Sequence, residues 1–197
     1  MSRIGSYKRE TKETSVDVSW DLDGSGRADV ATGIGMLDHL VEQIARHGVF
    51  DITCRAKGDL RVDSHHTVED VAIGLGRALL AALGDAKGIV RMADATVPLD
   101  ESLSHVALDL SGRAYSSISV TWADARIGEL PSDLVVHFLE TLANEGKFNL
   151  HARVLAGVND HHKAESLVKA LARALCAATR IDARRAGQTP STKETLS

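Results

Sequence analysis

The sequence predicts an α+β fold built from two copies of one β-β-α-β-α unit. Two observations carry this. The chain matches itself at offsets of 86 to 98 residues, 96 and 98 at the histidine motifs, and each copy shows strand-like alternation followed by helix-length apolar periodicity. Asp38 to Gly48 matches Val136 to Gly146. His65-His66-Thr67-Val68-Glu69 matches His161-His162-Lys163-Ala164-Glu165, and the stretches that follow, 74–84 and 168–178, are alike. The openings also correspond: Glu13-Thr14 with Glu101-Ser102, and Gly26-Arg27-Ala28 with Gly112-Arg113-Ala114. Residues 1–93 are therefore the first repeat, 94–185 the second, and 186–197 a C-terminal loop or arm, together one compact functional unit.

The elements follow in order. Strands are expected at 15–23 and 28–33, and in the second copy at 104–110 and 114–122, with room for one more strand before each set. Asp-Gly-Ser-Gly at 23–26 and Ser-Gly at 111–112 are turn residues, read as hairpin turns. An amphipathic helix is expected near 36–47 and again at 132–145, then a strand at 50–56 or 148–154. A second helix starts at each His-His pair and runs to about 83 or 178. The sheets are expected to be antiparallel or mixed, with helices on one face. Neither unit buries both its helices alone, so the two should pack helix face to helix face. The tail, with its proline and no periodicity, is expected to leave the body.

Composition narrows the class. With 197 residues, 44% hydrophobic and 25% charged, the chain can bury a core, which excludes disorder and disulfide-stapled miniproteins. Lys+Arg minus Asp+Glu is 23 − 27 = −4. Such a chain is a poor general binder of nucleic acid or of an anionic membrane. Cys54 and Cys176 form no CxxC pattern and read as reduced, half-buried thiols. There is no apolar run of transmembrane length, and the polar start has no secretory h-region, so an intracellular, cytoplasmic protein is expected.

Nine histidines in a chain with only 4% aromatic residues call for an explanation. In His-His-x-x-Glu the first His and the Glu, at i and i+4, share a helical face. His65 with Glu69, and His161 with Glu165, can each grip one ion. The middle histidines, His66 and His162, point about 100° away and are free to reach a different ion. The repeat suggests an exchange: one ion takes His65, Glu69, His162 and His137, the other His161, Glu165, His66 and His39. The spacing leaves open whether one chain or two supply each set. Solvated surface histidines would explain one such motif, but not its repetition with a preceding histidine. These ligands suit Zn, Fe, Mn, Co or Ni, and the lack of Cys ligands argues against a structural zinc knot.

Other residues carry less. His47 stands where the second copy has Glu145, as a chemical group or a helix cap. His105 and His151 have no partners at metal spacing, and His151 reads as a partly buried strand residue. Glu13 could be a solvated edge charge. Arg91, Arg113, Lys169 and Lys193, from separate segments, could hold a phosphate or be ordinary surface charges. Gly24 and Gly26 are turn glycines, because no lysine or helix follows as a P-loop requires.

With Arg9-Glu10-Thr11-Lys12-Glu13-Thr14, Leu37-Asp38-His39-Leu40, Asp63-Ser64-His65-His66-Thr67-Val68-Glu69-Asp70, Asn159-Asp160-His161-His162-Lys163-Ala164-Glu165 and Pro190-Ser191-Thr192-Lys193 in this order, the chain resembles the imidazoleglycerol-phosphate dehydratase family of histidine biosynthesis. The resemblance covers essentially the whole chain and points to the monofunctional form. One departure is Glu194, where the family usually has Gly. The resemblance implies a duplicated fold like domain 2 of ribosomal protein S5, with two sheets enclosing the helices. It implies Mn²⁺, two ions per active site, and a homo-oligomer of 24 subunits built from trimers with sites between subunits. The metal ligands it implies fall on His39, His65, His66, Glu69, His137, His161, His162 and Glu165. Phosphate binding falls on Arg91, Arg113, Lys169, Ser191 and Lys193, and other substrate contacts on Glu13, Gln43 and His47.

The implied reaction dehydrates D-erythro-imidazole glycerol phosphate to imidazole acetol phosphate, with the ring held as imidazolate between two metals. Glu13 is then the first choice for moving the carbon-bound proton, with His47 second. Glu13 is expected to lie away from both His-His helices. A dinuclear metallohydrolase is the alternative, and a non-catalytic metal-binding assembly protein a third class.

Overall fold

The computed structural model describes residues 3–193 and 195. Glu194, where the sequence departs from the family it resembles, lies outside the described residues. The first half runs β1 (Ile4–Glu10), β2 (Thr14–Asp21), β3 (Ala28–Ala31), α1 (Gly35–Gly48), β4 (Asp51–Gly58) and α2 (His65–Leu83). The second runs β5 (Met92–Leu99), β6 (Ser102–Asp109), β7 (Tyr115–Ser119), the short β8 (Arg126–Ile127) and β9 (Leu130–Pro131), α3 (Ser132–Glu145), β10 (Asn149–Ala156) and α4 (Asp160–Thr179). A short 3-10 helix, Ala183–Arg185, follows.

Each half holds one four-stranded sheet with the same order, β1-β2-β4-β3 and β5-β6-β10-β7. Strand sequences fit their half-buried role. In β2, Val16, Val18 and Trp20 face inward and are fully buried, while Ser15, Asp17 and Ser19 alternate outward. In β4, Ile52 and Cys54 do the same, and Val18 sits opposite Cys54.

The two turns read as hairpins are not hairpins. β3 pairs parallel with β4, and β7 parallel with β10, so each sheet is mixed. A parallel pair needs a crossover, which α1 and α3 supply. Asp51, at the start of β4, fixes the first turn: its Oδ1 accepts hydrogen bonds from Ser25 N at 2.7 Å and Arg27 N at 3.0 Å. A Cβ at Gly24 would fall 2.2 Å from Asp51 N, so glycine is required there. The expected strand over 114–122 ends at Ser119, because residues 123 and 124 hydrogen-bond to Asp160 instead of a sheet neighbour.

The four helices lie between the sheets. α2 packs on β1 and β2, and α4 on β5 and β6. Across the middle, α1 packs on α4 and α2 on α3. Gly76 permits the second contact: a Cβ there would lie 2.8 Å from Gly146 N and 2.9 Å from Leu142 O. Arg77 and Glu145 pair across the same seam. Glu129 reaches from the second half to accept a hydrogen bond from Met36 N at the start of α1, at 2.9 Å, where a helix favours negative charge.

The tail differs from expectation. Its backbone is irregular, but it stays on the body: Gly88 N donates to Gln188 O at 2.8 Å and the Arg91 guanidinium to Pro190 O at 2.7 Å.

Candidate metal centre and anion cavity

The helix contacts decide which histidines meet. Asp38 anchors the entry to α1 by accepting Thr32 N at 2.8 Å and the Thr32 hydroxyl at 2.6 Å, and His39 follows it directly, just past the first turn. At the start of α4, Asn159 Oδ1 caps the helix and accepts from His161 N at 2.9 Å. Because α1 lies on α4, His39 Nε2 comes within 2.6 Å of Glu165 Oε1, and His161 Nε2 within 2.9 Å of the same oxygen. Because α2 lies on α3, His65 stacks on His137 at 4.8 Å, and His137 Nε2 is 3.5 Å from Glu69 Oε1.

Two triads result, His39–His161–Glu165 and His65–Glu69–His137, each with its ligand atoms within 4.8 Å of one another. Each takes a lone histidine from one half and the i, i+4 pair from the other. The residues fit a divalent transition ion: two imidazoles and a carboxylate are its usual donors. His137 Nε2 supports the fit directly, since it is buried and has no hydrogen-bond partner. A buried ring nitrogen without a partner is costly unless something occupies its lone pair.

His66 and His162 join neither triad of this chain. His162 Nδ1 lies 2.7 Å from Glu101 Oε2, and His66 Nδ1 3.2 Å from both Asp59 oxygens. An ionised carboxylate only accepts, so Nδ1 carries the hydrogen and Nε2 is left as the lone-pair nitrogen. The same hydrogen bonds raise both imidazoles above the usual histidine range. Ligating histidines are typically oriented this way. Glu101 also accepts from Val158 N at 3.1 Å and Asn159 N at 2.8 Å; the Asn159 bond foremost, with His162, holds it at about 2.

Asp59 and Glu101 were not singled out as site residues from sequence. Glu101 carried a signal, its match with Glu13; Asp59, in a loop, carried none. Glu13 is placed differently from expectation: its exposed carboxylate lies 3.8 Å from His66 Nδ1, beside one His-His helix.

Glu165 also meets Lys169, whose Nζ is 2.5 Å from Oε2. Burial opposes its ionisation, but hydrogen bonds from Lys169, His39 and His161 prevail and hold it at about 2. On α1, His47 Nε2 lies 2.9 Å from Gln43 Oε1. Burial, reinforced by Lys169 and Arg173, pushes His47 below the usual histidine range. His151, expected to be partly buried, is exposed and lies against Tyr115.

A cationic cavity of about 490 Å³ lies at the tail, lined by Arg91, Arg113, Arg185, Ser191 and Lys193 among others. Arg91 is positioned by Asp109, at 2.7 and 3.0 Å. Lys169 does not line this cavity, and no residue of either triad does. Four of the five phosphate-binding candidates thus share one cavity, while the fifth stands at the metal centre.

Comparison with known proteins decides the family. A family model for imidazoleglycerol-phosphate dehydratase matches residues 32–175. The chain belongs to the imidazoleglycerol-phosphate dehydratase family. These are hydro-lyases of histidine biosynthesis. The matched span of the dehydratase family holds both triads together with His66 and His162, whereas Glu13 lies before it. The imidazoleglycerol-phosphate dehydratase of Dehalococcoides mccartyi (strain CBDB1) is 58% identical over 98% of this chain and 97% of its own length. The chloroplastic enzyme of Pisum sativum is 52% identical over 100% of this chain and 70% of its own length. A crystal structure of the dehydratase from Pyrococcus furiosus, in complex with (S)-C348, superposes with a TM-score of 0.82 at 32% identity, covering 96% of this chain and 100% of that one. No helix among the described residues is long and apolar enough to cross a membrane.

Proposed function

We propose that the chain dehydrates D-erythro-imidazole glycerol phosphate to imidazole acetol phosphate, in the cytoplasm, with two manganese ions per active site. The single observation that carries this reading is the pair of cross-half His–His–Glu triads, one with a buried imidazole nitrogen that makes no hydrogen bond. His39, His161 and Glu165 would hold one ion, and His65, Glu69 and His137 the other. Bound manganese would supply Lewis acidity at the imidazole ring and a template for its orientation.

The chain's own residues do the rest. Glu13 is exposed and adjacent to His66, so its carboxylate can take the proton from the substrate carbon. Its counterpart Glu101 is committed to three donors and orients His162 instead. His47, which burial and nearby cations push below the usual histidine range, can pass a proton, and Gln43 holds its Nε2 side. Arg113, Lys193 and Ser191 hold the phosphate, with Arg91 setting the cavity wall. Remote binding of this kind orients the reacting carbon.

The oriented but unused His66 and His162 support assembly. Their Nε2 atoms suit ligand positions completed by a second copy. No triad residue lines the phosphate cavity, so one small substrate meeting both also favours sites between chains, as in a 24-mer of trimers.

The test is to mix the Mn²⁺-loaded protein with imidazole glycerol phosphate and follow the ketone product. Product formation abolished by chelation is expected. Hydrolysis of phosphoesters or amides, with no turnover of imidazole glycerol phosphate, would replace this reading with a metallohydrolase.

A further inference from the structure

The two triads match in ligand types but not in charge. Lys169 lies one helical turn beyond Glu165, and its Nζ is 2.5 Å from Glu165 Oε2. The position one turn beyond Glu69 is Ile73, half-buried on α2. Among the described residues the only ion-pair partner of Glu69 is His137. One triad therefore presents a carboxylate already neutralised by an ammonium group, the other a full negative charge. Glu165 and Lys169 are both well shielded, with side chains 11% and 14% exposed, so solvent screens the pair little.

We propose that the two manganese positions are unequal: the His65–Glu69–His137 triad fills first, and Lys169 holds the His39–His161–Glu165 triad at weaker affinity. The proposal rests on the reading that each triad holds manganese. An incoming dication meets a net charge of −1 at Glu69 and of zero at the Glu165–Lys169 pair, before other ligands are counted. Lys169 also occupies Oε2, which leaves only Oε1 facing His39 and His161 and denies the ion bidentate capture. Pre-ordering of Glu165 works in the opposite direction but is the smaller effect, because His39 and His161 restrain the carboxylate even without Lys169. The lysine thus makes the second ion the exchangeable one.

The test titrates the metal-free full-length protein with Mn²⁺ and reads free Mn²⁺ by electron paramagnetic resonance. Two classes of equal capacity are expected, separated by about tenfold or more in Kd, the scale of one unscreened charge near the ion. Glu69→Gln should abolish the tight class, and Glu165→Gln the weak one. Lys169→Met should tighten the weak class by about tenfold. Ile73→Lys, which places the same cation beside Glu69, should weaken the tight class. Far-ultraviolet circular dichroism and particle size check that each variant is folded, and the Ile73 variant carries the test if the Lys169 variant is not. A single class of two equal sites in the unaltered protein would overturn the inequality alone. So would binding constants unmoved in a folded Lys169→Met. Failure to take up any Mn²⁺ would overturn the metal reading as well, and is a different result from equal uptake.

Discussion

Glu13 and Glu101 occupy matching positions in the two halves and have opposite fates. Glu101 is tied by three hydrogen bonds, whereas Glu13 keeps an exposed carboxylate near His66. Glu13→Gln keeps the shape and removes the carboxylate that is proposed to accept the proton. It is expected to retain metal and assembly while kcat falls by about 10²–10⁴-fold, the usual scale of general acid–base catalysis. A kcat within a few-fold of the unaltered protein, measured with the same product assay, would move the proton to His47. At this scale the sequence was informative wherever residues repeat. The His-x-x-x-Glu spacing put His65 with Glu69, and His161 with Glu165, on one helical face. It could not show which carboxylates orient His66 and His162, because Asp59 lies in a loop with no periodicity. Nor could it show that Lys169 meets Glu165 and does not line the cationic cavity at the tail, since any basic residue looks available until its neighbours are known.

The start of α4 shows how an element is held in place to present its ligands. Asp160 and Lys163 are each 7% exposed and pair at 2.8 Å. Asp160 Oδ2 accepts from Ala123 N and Asp124 N, both at 2.8 Å, and Lys163 Nζ donates to Thr121 O at 3.0 Å. The pair fastens residues 121–124 to the turn that carries His161 and His162. Lys163→Met leaves a buried, uncompensated carboxylate and should cost about 3–5 kcal/mol in urea unfolding. The first half has no such pair, since Ser64 and Thr67 stand in the matching places. A second element-level device is Asp51, which carries the turn before β3. Hydrogen bonds from the Arg27 side chain, and from the backbone of Arg27 and Ser25, hold its carboxyl below the usual range. A depressed carboxyl stabilises the fold above its unfolded value near pH 4, and that contribution is lost as pH falls through the folded value. Asp51→Asn should therefore lower stability by about 1–2 kcal/mol at pH 7 and by progressively less as pH drops below about 4, read from thermal melts. Helices were legible from their periodicity. Strand order was not: turn residues at 23–26 mark a reversal, but only the crossover through α1 decides that β3 joins β4.

At the level of the whole molecule, the helices of the two halves face each other, and that contact builds each triad from both halves. His66 and His162 stay outside both triads, and if a second copy uses their Nε2 atoms as metal ligands, metal should be linked to assembly, because a ligand that binds only the associated form stabilises it. Chelation of the purified protein is expected to reduce particle size toward trimers by light scattering; one size with and without chelator would argue against shared sites. The helix-to-helix packing was foreseeable from the amphipathic faces, whereas the docking of the tail was not, because it depends on Gly88 and Arg91 hydrogen bonds to irregular backbone. The most direct measurement of the central claim follows turnover of imidazole glycerol phosphate against bound manganese per chain as metal-free protein is reconstituted. Turnover should rise with occupancy and reach its maximum at two ions per chain, one for each triad. Full turnover in protein freed of metal, or a maximum reached with a single ion bound, would contradict it.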